Sequence, residues 1–214
     1  MSLVAPEFHP TLRDELARLR PRWRTPVIVL LIAIAAAALL LLLRSSEQPG
    51  THVVHDGQPA FNLRYTAPLK RVKAGPGELL HLEWRENGVL RASYVVEPLK
   101  LPPFAGDVGG VFPVVASRDL DALKARFPDL EPVEEGKARV NKVPAYSMTF
   151  RASRKPRLYG RVVLLAEPVS GSRDGFRIVM LATPLGGADK AGDVAARGVL
   201  KTAYRTFRFG TEGP

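Results

Sequence analysis

The longest feature of the hydrophobic pattern is an unbroken apolar run near the start of the chain. Residues 27–43 are seventeen consecutive Val, Ile, Leu and Ala. At about 1.5 Å per residue they would form roughly 25 Å of helix, which is at the short end of what a bilayer core of about 30 Å requires. The flanking residues extend this helix, so we predict a transmembrane signal anchor over residues 25–44.

Two other interpretations of this run stay open. A cleaved signal peptide has an apolar region of about 7–15 residues that ends in small residues, whereas here five leucines lead directly to Arg44. A buried helix of a water-soluble core would need apolar neighbours on every side within a chain of 214 residues. The uncleaved anchor fits the pattern better than either.

The charges on the two sides of the run indicate its orientation. Five arginines precede it, all within about 15 residues, and after Arg44 no Lys or Arg occurs until Arg64. Cytoplasmic flanks carry the excess of Lys and Arg, so we predict a single-pass protein of the plasma (inner) membrane with a cytoplasmic N-terminus. The predicted parts are a cytoplasmic basic tail (1–24), the anchor (25–44), a linker (45–58), an extracytoplasmic domain (59–209) and a short tail (210–214).

Alternating apolar and polar positions predict strands in the first half of the domain. Residues 61–65 alternate with period two, as in a half-buried strand. Residues 79–97 hold two alternating segments joined by Asn87-Gly88, and both of these residues tolerate the positive φ angles of a tight turn, so we predict a β-hairpin. The Pro- and Gly-rich residues 98–116 predict a long irregular crossing.

Helices and further strands are predicted in the second half. Ser117 is expected to cap a helix over residues 117–127. Three strands follow, at 144–152, 158–167 and 175–183. The last two are apolar on both faces in their centres, so both faces of their sheet need cover, which the first helix and a long helix predicted over 188–207 would supply. The expected fold class is α+β, with one N-terminal transmembrane helix and an α/β/α sandwich around a mainly antiparallel sheet.

Composition narrows the chemistry of the domain. The chain has no cysteine, so the domain is held together without disulfides and offers no thiolate metal ligands. Residues 51–214 contain 25 Lys and Arg against 17 Asp and Glu, which gives a net charge of +8. A domain with this charge is attracted to anionic lipid headgroups and acidic polymers.

No motif of a known catalytic type stands in the sequence. HExxH, the Walker-type phosphate loop, GxGxxG and the nucleophile elbow are all absent. His52 and His55 are three apart, which in a strand places them on opposite faces, so we predict no metal site. Glu134 and Glu135 are adjacent, near a turn predicted at Gly136, and do not face each other across a cleft. We expect no enzyme activity and no cofactor.

Basic side chains cluster in one short segment at the predicted junction of two strands. They are Arg151, Arg154, Lys155, Arg157 and Arg161. Such a tip suits an anionic partner, and an ordinary solvated turn is the open alternative. Phe104 and Phe112, within residues 98–116, are further candidate contact residues, because long loops inside a domain are often functional.

The order of these elements resembles a known fold. The stretch "FNLRYTAPLKRV" precedes the hairpin, a helix, the strand "VPAYSMTF", two long strands and a closing "AYRTFRF". This order is similar to the PsbP/Mog-like α/β/α sandwich of photosystem extrinsic subunits and actinobacterial LpqN-type envelope proteins. The matching positions, within residues 58–209, are Lys142-Val143-Pro144-Ala145-Tyr146 and Thr206-Phe207. The resemblance implies a non-enzymatic accessory or binding domain and assigns no binding residue; the lipobox of the lipoprotein members is absent.

Together these features predict an envelope accessory module. Its expected partners are the lipid bilayer, through the anchor, and an unidentified envelope protein or anionic polymer outside the membrane. The alternative is a carrier that holds a lipid or small apolar ligand in a cavity between sheet and helix. The predicted extracytoplasmic location argues against nucleic acid as a partner.

Overall fold

The computed structural model describes residues 50–152 and 156–212, together with Val29 and Ala33. The predicted cytoplasmic tail and nearly all of the predicted anchor lie outside the described residues, so both stay predictions. Within the described ranges, no helix combines the length and apolar character that a membrane crossing requires. Pro49–Pro214 form a compact unit, and the fold given below is that of this unit.

Ten strands and two α-helices make up the described part of this unit. The strands are β1 (Thr51–His55), β2 (Phe61–Tyr65), β3 (Lys70–Arg71), β4 (Leu80–Glu86), β5 (Val89–Lys100), β6 (Leu130–Val140), β7 (Val143–Ala152), β8 (Leu158–Ala166), β9 (Asp174–Ala182) and β10 (Arg208–Phe209). The helices are α1 (Phe112–Arg126) and α2 (Leu200–Thr206). Short 3₁₀ helices lie at Val108–Gly110, Pro184–Gly186 and Ala191–Asp193.

The strands form two antiparallel sheets. The large sheet has seven strands in the order β3-β4-β5-β9-β8-β7-β6, and the small sheet has three in the order β1-β2-β10. Neighbouring strands pair antiparallel throughout both sheets. This architecture confirms the predicted α+β class with a mainly antiparallel sheet.

Strand β8 shows how both faces of the large sheet are buried. Its neighbouring residues Leu164 and Leu165 lie on opposite faces, and both are 0% exposed. Leu164 belongs to the core that contains Phe112 of α1, and Leu165 belongs to the core that contains Phe61 of β2 and Leu200 of α2. The predicted cover on both faces is confirmed, but the second layer is the small sheet with a short helix instead of one long helix.

The strands predicted from alternation are present with small shifts at their ends. β4 and β5 form the expected hairpin, with Asn87 at φ 50° and Gly88 at φ 75° in its turn. β7, β8 and β9 match the three strands predicted in the second half. β1 lies within the predicted linker 45–58, and β6 contains Gly136, where a turn was expected. Most of β6 is exposed at the sheet edge, so its sequence lacks a regular apolar alternation.

The irregular crossing is shorter than predicted. β5 continues to Lys100, and α1 begins at Phe112 instead of at a cap on Ser117. Pro113 lies in the first turn of α1. Backbone N–H groups in that turn have no acceptor within the helix, so proline costs no hydrogen bond there. Phe112, a candidate contact residue of the loop, is 1% exposed and packs in the core beneath α1.

The long helix predicted over residues 188–207 is wrong. Within that range the α-helix covers Leu200–Thr206, and the 3₁₀ helix Ala191–Asp193 precedes it. Ala195 (φ 63°) and Gly198 (φ 66°) adopt left-handed backbone conformations, which do not continue a right-handed helix. A side chain on Gly198 would also meet the backbone of the 3₁₀ helix Pro184–Gly186, because its Cβ would stand 2.4 Å from the carbonyl oxygen of Gly186.

Candidate binding site

The residues of the predicted basic cluster do not share one environment in the structure. Arg151 on β7 donates from Nε to Glu131 Oε2 on β6 at 2.6 Å, so its charge is paired across the two strands. Arg157 is exposed just before β8. Arg154 and Lys155 lie outside the described residues, so their contact with an anionic partner stays a prediction.

Arg161 lies on the face of the large sheet that α2 covers. Its Nη2 donates to the carbonyl of Gly192 at 3.1 Å, and its guanidinium carbon is 5.9 Å from the centre of the Tyr204 ring. Arg161 is half-buried there, and its guanidinium is directed towards α2 and the 3₁₀ helix Ala191–Asp193.

A surface groove of about 410 Å3 lies at the turn that joins β6 to β7. We call it the hairpin groove. Its apolar lining consists of Val140, Val143, Leu165, Pro168, Phe207 and Phe209. Its polar lining consists of Asn141, Lys142 and Arg208. A largely apolar groove therefore carries two positive charges, and no carboxylate belongs to its lining.

The turn between β6 and β7 positions one wall of the hairpin groove. Asn141 (φ 45°) and Lys142 (φ 72°) both have positive φ, which is the geometry of a two-residue turn that matches the twist of the strands. The Asn141 side chain donates from Nδ2 to the carbonyls of Arg205 at 2.8 Å and of Phe207 at 2.6 Å. These bonds hold the turn against the end of α2 and the start of β10.

Aromatic rings form the opposite wall of the hairpin groove. The Phe207 and Phe209 rings each pack on Phe176 of β9, at centroid distances of 5.6 Å and 5.1 Å. Phe207 also stacks on Phe61 of β2 at 5.4 Å. Phe207 is buried and Phe209 is half-buried, so the rings present a fixed apolar surface to the groove.

A second groove, of about 310 Å3, lies beside the first and shares Val143 and Pro168 with it. Phe104, a candidate contact residue from the sequence, is half-buried and lines this second groove. Its charged lining residues are Asp107 and Glu167, so the two grooves differ in sign of charge.

Several other titratable side chains of the described ranges are paired or packed against a ring. Arg177 is held by Asp119 and Glu97. His81 Nδ1 is 2.9 Å from Glu78 Oε2. The His55 ring stacks on Phe61 at 5.0 Å, away from any acidic cluster. No group of three or more His, Cys, Asp or Glu with the spacing of a metal site occurs in the part of the chain that the structure describes.

The hairpin groove is absent from the sequence-based candidates. Its lining combines the consecutive strands β6, β7 and β8 with β10, which is distant in sequence and belongs to the small sheet. One local signal was present, because Val140-Asn141-Lys142-Val143 places a turn-forming Asn between two β-branched residues. That signal predicts the turn but not the wall that Phe207 and Phe209 supply.

Comparisons with known proteins relate the chain to solved structures. No family model matches the chain, and no curated protein matches it. The Saccharomyces cerevisiae Ran-binding protein Mog1p is similar, with 11% identity over 76% of this chain and 96% of that chain and a TM-score of 0.45. A Mog1 variant gives 12% identity over 75% and 96%, with a TM-score of 0.46. Cyanobacterial PsbP from Synechocystis gives 11% identity over 78% and 96%, with a TM-score of 0.48.

These likenesses concern the fold alone. Mog1 and PsbP are the proteins after which the fold resembled by the sequence, the PsbP/Mog-like sandwich, is named. The likeness to LpqN-type envelope proteins and the membrane anchor are sequence-based predictions.

Proposed function

We propose that the chain is a non-enzymatic, single-pass membrane-anchored module whose extracytoplasmic domain binds a partner protein through the hairpin groove. The observation that supports this proposal is the combination of an apolar lining with two basic side chains, Lys142 and Arg208, at the same groove. Interfaces between proteins concentrate binding energy in aromatic and aliphatic side chains that fill such a depression, with charged groups around it.

The charge around the hairpin groove defines the chemistry of the partner. The elements that adjoin the groove, β2, β6 and α2, carry the exposed bases Arg64, Arg139, Lys201 and Arg205. None of these four forms an ion pair with another described residue. The expected partner segment therefore has an apolar or aromatic side chain flanked by Asp or Glu, and this complementarity should accelerate its association at low salt.

A carrier function is the second candidate, and the size of the hairpin groove favours it. Small-molecule sites typically occupy about 300–1,000 Å3, and this groove measures about 410 Å3. The space between the large sheet and the covering layer, where a carrier was expected to hold its ligand, is instead filled by Phe61, Phe176 and Phe207. Because the groove is open to solvent, protein binding remains the first proposal.

Charge reversal combined with an apolar-to-polar change tests the proposal and separates its alternatives. In cells, photo-crosslinking from the groove is compared for the wild type, K142E/R208E, V143N and the control K124E/R126E on the exposed side of α1. Binding of a protein segment should be weakened by both groove variants and kept by the control. An anionic polymer would lose binding only with K142E/R208E, and an apolar ligand would lose it mainly with V143N. Equal crosslinking in all four proteins would contradict a role for the groove.

The anchor and the outside location are tested by protease accessibility of a C-terminal tag. We expect the protein in the membrane fraction, with the tag cut from outside once any outer barrier is permeabilised. A tag protected in intact spheroplasts would place the domain in the cytoplasm and end the envelope proposal. A soluble, shortened chain would show cleavage of the apolar run.

The tip around Arg157 remains a second proposed contact surface for an anionic partner, together with Arg154 and Lys155. Its test is R157E compared with K142E/R208E in the same crosslinking experiment. Loss of an anionic partner with R157E alone would assign that partner to the tip.

A further inference from the structure

Two half-buried arginines on the large sheet differ in how their charges are balanced. Arg177 lies between two carboxylates: its Nε is 2.7 Å from Asp119 Oδ2, and its Nη1 contacts Glu97 Oε2. Arg161, on the opposite face, forms no ion pair with any described residue. Charges removed from water are normally paired, so Arg161 lacks the partner that its position calls for.

The hydrogen bonds of Arg161 are also incomplete. Among the described residues its Nη2 donates to the carbonyl of Gly192, and the guanidinium also interacts with the Tyr204 hydroxyl through a hydrogen bond that lowers the pKa of Tyr204. Its Nε is buried and has no acceptor in the described part of the chain. A buried donor without an acceptor is costly, and each such group in a folded protein calls for an explanation.

A polar groove of about 190 Å3 lies beside this guanidinium. Its floor is built by register: Thr149 stands between Glu134 and Arg161 on neighbouring strands, and Ser147 pairs with Gly136 in the next row on the same face. The full lining consists of Glu134, Glu135, Gly136, Lys137, Ala138, Ser147, Thr149, Arg161 and Tyr204. Hydroxyl groups and a guanidinium therefore line this space, together with two carboxylates and one lysine.

We propose that this groove binds a small oxyanion, a carboxylate or a phosphate group, through Arg161. The planar guanidinium matches the geometry of both anions, and the hydroxyls of Ser147 and Tyr204 are further donors along the same lining. The inference does not depend on the hairpin groove, which lies at the end of the strands and has no lining residue in common with this one.

The dimensions and charges of the groove limit what fits. At about 30 Å3 for each water in the liquid, the groove holds roughly six water volumes, which suits a group the size of acetate or phosphate. Glu134 lies on β6 directly across Thr149 from Arg161, and Glu135, opposite Met148, follows it in the lining; both carboxylates oppose a polyanion. Lys137 offsets one of these charges. A free anion and a single acidic group on a larger molecule share the same recognition chemistry.

Tyr204 supplies a spectroscopic readout at the groove. Burial raises the pKa of the Tyr204 hydroxyl, and the charge of Arg161 and a hydrogen bond from its guanidinium oppose that rise. An anion bound to Arg161 would cancel the opposing charge and raise the Tyr204 pKa further. A structural arginine without a ligand would leave this pKa independent of added anion.

The experiment uses the full chain in neutral detergent, titrated with acetate and, separately, with inorganic phosphate at constant ionic strength. Binding is followed by tyrosine absorbance at alkaline pH and by NMR shifts of Ser147 and Thr149. The variants are R161Q, S147A and the control R151Q, which removes a base of the same face that is already paired with Glu131. We expect saturable binding to the wild type, weakened by about tenfold or more in R161Q and severalfold in S147A, and unchanged in R151Q.

The outcomes separate the proposal from its rivals. Saturation with acetate alone assigns a carboxylate, and saturation with phosphate alone assigns a phosphate group. A linear, unsaturable response that R161Q shares with the wild type would overturn the proposal. If R161Q does not fold, R161K is used instead. Lysine keeps the positive charge but lacks the planar pair of donors of the guanidinium, so R161K should bind about three- to tenfold more weakly. Wild-type affinity in R161K together with a constant Tyr204 pKa would also overturn it.

Discussion

Arg177 of β9 donates a hydrogen bond from Nε to Asp119 Oδ2 of α1 at 2.7 Å. The same guanidinium contacts Glu97, its direct cross-strand neighbour on β5. These contacts join α1 to two central strands of the large sheet. The three side chains are 18–25% exposed, so the network lies at the border between core and solvent. Its position fixes where α1 lies along the sheet.

We predict that R177M destabilises the fold by about 3 kcal/mol, because it leaves two carboxylates close together without their cation. Chemical denaturation of the variant and the wild type measures this change. Adding D119N and E97Q to R177M removes the stranded charges and should recover most of the loss. A single R177M as stable as the wild type would show that the network contributes nothing to stability.

The same network predicts a pH dependence. Burial raises the pKa of Asp119, and Arg177 opposes that rise. Because the folded-state pKa exceeds the unfolded one, the contribution of Asp119 is complete below the unfolded pKa and declines as the pH rises through the folded pKa. Methionine at position 177 removes the opposing charge, so the decline extends to higher pH. The loss of unfolding free energy in R177M, relative to the wild type, should therefore be larger at about pH 7 than at about pH 4. A loss independent of pH would contradict the role assigned to Asp119.

Asn141 gives a prediction for the turn that shapes the hairpin groove. N141A loses the hydrogen bonds to the carbonyls of Arg205 and Phe207. It also puts alanine at φ 45°, a left-handed conformation that alanine adopts less readily than asparagine. We expect a loss of about 2–3 kcal/mol in the free energy of unfolding. N141G is the matched control, since glycine accepts the positive φ and loses only the hydrogen bonds. It should lose about 1–2 kcal/mol. Equal stability of both variants would mean that the backbone strain at Asn141 is negligible.

Sequence patterning predicted the central strands well because burial there differs sharply from that of the turns. β8 and β9 are apolar on both faces and were expected to be covered on both. Edge strand β6 was not predicted, because it pairs on one side only and most of its residues are exposed to solvent on both faces. Such a strand needs no apolar alternation. The predicted helix over 188–207 failed because apolar spacing carries no information about φ, and Ala195 and Gly198 are left-handed.

The candidate sites show a similar limit. The clustering of Arg151 and Arg161 in the sequence predicted one basic tip, but strand pairing places Glu131 beside Arg151, and α2 beside Arg161. Whether a base is free depends on partners from other strands, which sequence spacing does not supply. The hairpin groove requires Val143 to meet Phe209, and only the closing of β10 onto β2 brings that wall into place.

Tyr94 gives a prediction about a polar group inside the core. Its side chain is 0% exposed, and its hydroxyl has no partner among the described residues. Burial raises the pKa of this hydroxyl well above its ordinary value, so it stays protonated and buried. Y94F should keep the packing and remove the unpaired hydroxyl, which raises the free energy of unfolding by about 1 kcal/mol.

Two further outcomes check the Tyr94 prediction. Y94A removes the ring and should cost about 3–5 kcal/mol, which confirms that the site is packed. A clear loss of stability in Y94F would show that the hydroxyl has a hydrogen-bond partner, such as a buried water. Both measurements are chemical denaturation curves with unchanged slopes.

Gly175 predicts how tightly β8 and β9 approach each other. A Cβ built on Gly175 would stand 2.0 Å from the carbonyl oxygen of Leu165, and that oxygen belongs to the backbone of the neighbouring strand. The backbone cannot withdraw without disturbing the ladder between the two strands, so G175A should cost about 3 kcal/mol or more. G136A is the control, because a Cβ there, also within a strand, meets nothing within 4 Å. It should change stability by at most about 0.5–1 kcal/mol, towards greater stability. If G175A were as stable as G136A, the two central strands would lie further apart than the structure shows, and the double-sided core built on them would be looser.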